Sequence, residues 1–158
     1  MENDGIIEDD RIIACDWNEN GGVLEYDISY LHPDLDVLLQ KYSVSSTTYE
    51  GKQIFQSSFS LFASNSDEVG DFSCLPKEIK MRLWVVAFAI KLKFFGECRP
   101  DIVEHFIDGA YSIVRRYELY RSKLNPTGYD VELEKTKRTI TYQKTKIPSG
   151  SGGDFCLS

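Results

Sequence analysis

The sequence predicts an α+β fold: an antiparallel sheet built from N-terminal and C-terminal hairpins, packed on a central two-helix hairpin. Three observations predict it. Alternating apolar residues separated by turn signals run from Arg11 to Ala63. Apolar residues at three- and four-residue steps then run from Pro76 to Lys123. Alternation returns after the Asn125-Pro126-Thr127-Gly128 turn. Strands come first, helices second and strands last, with no strand–helix–strand alternation, the order expected of α+β chains. At 158 residues, with 42% hydrophobic and 13% aromatic content, the chain has enough apolar surface for one packed core.

Each element has its own signal. Residues 1–9 read as a flexible acidic tail, ahead of a single domain over 10–147. Residues 11–17 place Ile13, Cys15 and Trp17 on one face, and residues 23–30 place Leu24, Tyr26, Ile28 and Tyr30 on one face. Asn20-Gly21 between them is a hairpin turn. Pro33, with Asp34 and Asp36 behind it, predicts a short helix carrying Leu35, Leu38 and Leu39. Residues 43–50 and 53–63 flank Gly51-Lys52 as a second hairpin. Phe55, Phe59 and Phe62 have helical spacing, but the Ser/Thr-rich composition favours strand over 53–63. Residues 64–71 form a loop.

Pro76 opens a helix reaching about Phe95, apolar on every side through its middle and therefore central and buried. A second helix is expected from Asp101 to about Lys123, with a stripe including Ile102, Val103, Phe106, Ile107, Ile113, Tyr117 and Tyr120. Residues 129–134 and 138–144 alternate as a closing hairpin, and 148–158 is a flexible Gly/Ser-rich tail.

Charge is unevenly spread. Residues 1–40 hold eleven acidic side chains and one basic one, a sum of −10, whereas residues 41–158 sum to +3, giving −7 overall. An acidic chain repels phosphates, so direct nucleic-acid binding is not expected. The acidic opening residues lack the basic and apolar regions of a signal peptide, and no apolar run is long enough to span a bilayer. A cytoplasmic protein with reduced thiols and no membrane association is the expectation. Cys15, Cys74, Cys98 and Cys156 show neither a Cys-x-x-Cys pair nor zinc-ligand spacing.

Residues 16–27 resemble an EF-hand calcium loop. Asp16, Asn18 and Asn20 take loop positions one, three and five, Gly21 takes six, Val23 eight and Asp27 twelve. The resemblance implies oxygens converging on calcium. Asp27 stands where the family places a bidentate Glu, Leu24 takes position nine, and both flanks read as strands. A hairpin with an Asn-Gly turn accounts for the same letters, so no metal or other cofactor is expected.

No P-loop, dinucleotide glycine pattern or nucleophile elbow is present. His105 falls on the polar side of the second expected helix, where an exposed histidine is the simpler reading than a Cys98–His105 nucleophile pair. The carboxylate pairs Glu25/Asp27, Asp34/Asp36 and Glu132/Glu134 show no sign of desolvation. Arg115, Arg116, Arg121 and Lys123 close the second expected helix, with Asp101, Glu104 and Asp108 in its first half, an order that complements the macrodipole.

The reading that follows is a non-enzymatic interaction module. It is an inhibitor, immunity or antitoxin-type protein that neutralises a basic partner, such as a nuclease-type toxin or a nucleic-acid-binding protein. The contacts would come from Asp16, Trp17, Glu19, Glu25, Asp27, Asp34 and Asp36. Two alternatives stay open: an enzyme or small-ligand binder with a pocket between helices and sheet, and a nucleic-acid accessory protein using Arg115, Arg116, Arg121 and Lys123. A homo-oligomer is compatible with each.

Overall fold

The computed structural model describes residues 7–65, 67–69, 75–109 and 111–145. The C-terminal tail expected over 148–158, most of the acidic tail and part of the 64–71 loop lie outside the described residues.

Seven strands form one sheet: β1 (Ile12–Asn18), β2 (Gly21–Asp27), β3 (Leu35–Tyr49), β4 (Lys52–Ala63), β5 (Ile102–Phe106), β6 (Tyr129–Glu134) and β7 (Thr139–Lys144). Among the described residues two α-helices accompany them, α1 (Lys77–Cys98) and α2 (Ile113–Lys123). The strand order is β1-β2-β3-β4-β5-β7-β6, and every pairing is antiparallel except β4 with β5. Parallel neighbours need a crossover, which α1 supplies.

The N-terminal hairpin turns through Glu19 and Asn20 into Gly21, where φ is +91° and a Cβ would stand 2.5 Å from the Tyr42 carbonyl oxygen, so only glycine fits. The second and closing hairpins form where alternation places them, and residues 53–63 are strand. The alternation also decides what faces inward. Leu24 and Tyr26, Leu38 and Tyr42, Phe55 and Leu61, Val103, Ile140 and Tyr142 are all buried. Against them α1 sets Leu83, Ala87, Phe88, Ile90, Phe94 and Phe95, and α2 sets Tyr120. Tyr42 and Phe94 stack with ring centres 3.7 Å apart.

Three expectations are corrected. The short helix after Pro33 is a turn: the Leu35 amide donates to the His32 carbonyl at 3.0 Å, and β3 begins at once. Pro then Asp suits the two central turn positions as well as it suits a helix start. The second helix does not begin at Asp101. Residues 102–106 are β5, and the helix starts only at Ile113, where the Ser112 hydroxyl accepts from the Arg115 amide. There is thus no central two-helix hairpin, and β4–α1–β5 is the strand–helix–strand unit the pattern did not predict. Pro100 and the left-handed Arg99 end α1, and the β-branched pair Ile102-Val103 pairs on both sides with β4 and β7. Asp101, Glu104 and Asp108 therefore lie outside α2 and complement no dipole there.

Candidate ligand cavity between the helices and the sheet

One row of residues crosses the sheet from strand to strand. Gly22 pairs with Tyr42, Tyr42 with Ser57, Ser57 with His105, and His105 with Ile140. Paired residues share a face, and this row faces the helices. It brings a phenol, a hydroxyl and an imidazole together from β3, β4 and β5. In the neighbouring row Gln40 pairs with Phe59. Gln40 and His105 are buried at 0% and 2% exposure.

Lys91 of α1 descends onto these polar groups. Its Nζ donates to Ser57 Oγ at 2.8 Å and to Gln40 Oε1 at 3.2 Å. Gln40 Nε2 donates to the same Ser57 oxygen at 2.9 Å. Both lone pairs of Ser57 Oγ are thereby used, which leaves its proton to give. The Tyr42 hydroxyl, its buried neighbour, makes no hydrogen bond of good geometry among the described residues. Burial lowers the Lys91 amine to about 7, because no carboxylate offsets the desolvation of its charged form. Burial, then the nearby Lys91, hold the His105 imidazole well below its ordinary value, opposed only in part by the Ile140 main chain. A neutral imidazole has one donor and one acceptor, and neither ring nitrogen of His105 makes a hydrogen bond of good geometry among the described residues, its near partner being the Ile140 main chain.

Of these groups, Ser57, Lys91 and His105 border a cavity of about 500 Å³ between sheet and helices. Ser57, Phe59 and Leu61 of β4, Leu83, Trp84 and Lys91 of α1, His105 of β5 and Tyr120 of α2 form its walls. Phe106, Ile107, Asp108, Tyr111, Lys80 and Arg116 also line it. The Arg116 guanidinium sits 4.7 Å from the Trp84 ring centre and 4.6 Å from that of Tyr111, a cation between two aromatic faces. Arg138 fixes the adjoining loop, donating to the carbonyls of Ile107 at 3.0 Å, Asp108 at 2.9 Å and Tyr111. Its lining carries three basic side chains, Lys80, Lys91 and Arg116, and one carboxylate, Asp108, which does not act on Lys91. The cavity is cationic and ring-lined within a chain of net charge −7.

The acidic residues singled out in the sequence lie elsewhere. Asp16 and Glu25 are diagonal neighbours on the sheet face opposite the helices, with Lys41 beside them in register. Glu19 is at the hairpin turn. Asp27 stands at the other end of β2, where hydrogen bonds from the Ser29 hydroxyl (2.6 Å) and amide (2.9 Å) hold its carboxylate below its ordinary value; Arg11 lies 3.7 Å away. Asp34 and Asp36 occupy the turn into β3 and its start. Trp17 points inward, its ring edge-on to Tyr42 and Phe94, and its indole N–H donates to Glu97 Oε1 at 2.9 Å. In the calcium-loop segment, Asn18 accepts from the Asn20 amide at 2.7 Å inside a β-hairpin. No metal-binding group of His, Cys, Asp and Glu occurs among the described residues. Of the basic set, Arg116 borders the cavity, Arg121 pairs with Glu118 at 3.0 Å, and Arg115 and Lys123 are exposed. The expectation of an exposed helical His105 is overturned, since it lies buried in β5. Cys98 lines no part of the cavity that His105 borders.

No helix among the described residues is long and apolar enough to cross a membrane. Comparisons with protein-family models, curated proteins and solved structures find no match to this chain.

Proposed function

We propose that the protein binds a small organic anion with an apolar, ring-bearing body in the cavity between its helices and sheet. One observation carries the reading: Lys91 and His105 border the same cavity, the first buried without a counter-ion and the second without a hydrogen bond of good geometry among the described residues. Burying such groups unpaired costs several kcal/mol, roughly, for a charge and about 1–3 kcal/mol for each polar group. An anion that accepts from Lys91 and Arg116 removes that cost. The walls of Phe59, Trp84 and Tyr120 supply apolar and edge contacts for a ring. The volume suits a ligand of two fused rings.

The test is calorimetric titration with 2-naphthoate and with 2-naphthamide, its neutral counterpart of equal shape. The carboxylate is expected to bind at least about tenfold more tightly, a difference of about 1.4 kcal/mol. Lys91→Met and Arg116→Gln should each shrink that ratio. Equal affinities, or a ratio untouched by both substitutions, refute the reading.

A second reading keeps one supporting observation. Asp16 and Glu25 stand together on the sheet face that carries no helix, available to a basic protein. Reversing both charges is expected to slow association with such a partner, more so at low salt, and to leave naphthoate binding unchanged.

A further inference from the structure

We propose that Lys91 is a nucleophile: its amine condenses with the carbonyl carbon of a small anionic aldehyde or ketone held in the cavity, forming an imine. The inference rests on the anion-binding reading of the same cavity and adds a covalent step to it. The Nζ lone pair attacks the carbonyl carbon, a C–N bond forms, and the C=O π electrons pass to oxygen. Loss of that oxygen as water, with both amine hydrogens, leaves C=N. Hydrolysis reverses the step, so neither an oxidant nor a reductant is required.

The geometry meets each need of this chemistry. Lys91 borders the cavity, and its Nζ is oriented by Ser57 Oγ at 2.8 Å and Gln40 Oε1 at 3.2 Å, both neutral acceptors. No carboxylate stands by to hold it as an ammonium. Desolvation in an apolar pocket is a recognised way to keep a lysine partly deprotonated at neutral pH. His105 borders the same cavity, and beyond a poorly aligned contact with the Ile140 main chain its ring nitrogens have no partner among the described residues, so one can move a proton between nitrogen and the departing oxygen. Arg116, set between Trp84 and Tyr111, offers the anionic end of the substrate a second point of attachment.

Selectivity follows from the amount of free amine. With its pKa near 7, Lys91 is about half deprotonated at pH 7, whereas an ordinary lysine is deprotonated in roughly one part in a few thousand. The experiment incubates the full chain with 6-formyl-2-naphthoate and cyanoborohydride at pH 7 and maps the adduct by peptide mass. Lys91 is expected to gain the carboxynaphthylmethyl group at least tenfold faster than any other of the eleven lysines. Excess 2-naphthoate should suppress the labelling, and Lys91→Arg should abolish it. If 2-naphthoate binds but Lys91 is unlabelled, labelled no faster than surface lysines, or labelled regardless of competitor, the imine is refuted and the anion reading stands. If 2-naphthoate fails to bind and Lys91 stays unlabelled, the anion reading falls and takes the imine with it.

Discussion

Replacing Lys91 with methionine should alter stability by an amount that depends on pH, with a size that follows from the burial of the amine. In the unfolded chain the amine titrates near 10.5, and in the folded chain near 7. Between these values the unfolded state binds the extra proton, so wild-type stability rises with pH. Below pH 7 both states are protonated and the penalty is at its full size, roughly 5 kcal/mol at about 1.4 kcal/mol per tenfold. Above 10.5 it vanishes. From pH 7 to pH 9 the wild type should therefore gain roughly 2 kcal/mol that the methionine variant does not. The variant also loses the hydrogen bonds to Ser57 and Gln40, at about 1–3 kcal/mol, but that loss does not change with pH. Urea titrations at pH 7 and pH 9, followed by the fluorescence of Trp17 and Trp84, give the four stabilities. Their double difference cancels every titrating group not coupled to Lys91, and His105, which is coupled, titrates below this pH range. A double difference within about 0.5 kcal/mol of zero would mean that the amine is solvated in the folded protein, and the account of the cavity would fail.

Other perturbations test neighbouring parts of the argument. His105 is held below its ordinary value, so the unfolded state takes up its proton first and stability falls as pH drops below about 6.5. His105→Leu should flatten the loss between pH 6.5 and pH 5, read by the same titrations; a pH dependence equal to wild type would contradict it. Gly21→Ala should cost more than about 1 kcal/mol, because φ is +91° and the new methyl would press on the Tyr42 carbonyl; a thermal midpoint equal to wild type would contradict it. Trp17→Ala should cost about 3 kcal/mol in the same melt, since its ring fills the angle between Tyr42 and Phe94. Arg138→Ala should weaken 2-naphthoate binding several-fold without touching the ligand, because the loop carrying Asp108 and Tyr111 loses three main-chain anchors.

What could be read from the sequence was whatever alternated cleanly. The hairpins around Asn20-Gly21 and Gly51-Lys52, the closing hairpin and α1 all obey the binary pattern, and the structure has them. The misreadings sit where polar residues occupy core positions. Along β5 and just past its end the inward series is Val103, His105, Ile107, and the histidine breaks the apolar alternation, so the helical stripe through Ile102, Val103 and Phe106 wins on periodicity. Gln40 interrupts Leu38 and Tyr42 in the same way, and Lys91 interrupts the apolar middle of α1. These interruptions are the cavity's polar equipment. A period-two test that tolerates one histidine or glutamine would have found β5, and Lys91, which with Lys93 falls between the apolar run ending at Ile90 and Phe94, was a visible sign of the site. That Ser57 and His105 are register partners was not legible, because nothing local encodes a parallel pairing across a crossover.

That crossover also orders events in time. The meander from β1 to β4 is made of adjacent hairpins, whose contacts are close in sequence and quick to form as a nascent chain emerges. His105 reaches Ser57 only after forty-seven intervening residues, α1 among them, have been threaded over the sheet. Until then β4 offers a bare edge, and Lys91 has no ceiling from α2. The cavity is thus the slowest part of the molecule to mature. On the anion-binding reading, a chain with only its four-strand platform in place would not yet hold a ligand.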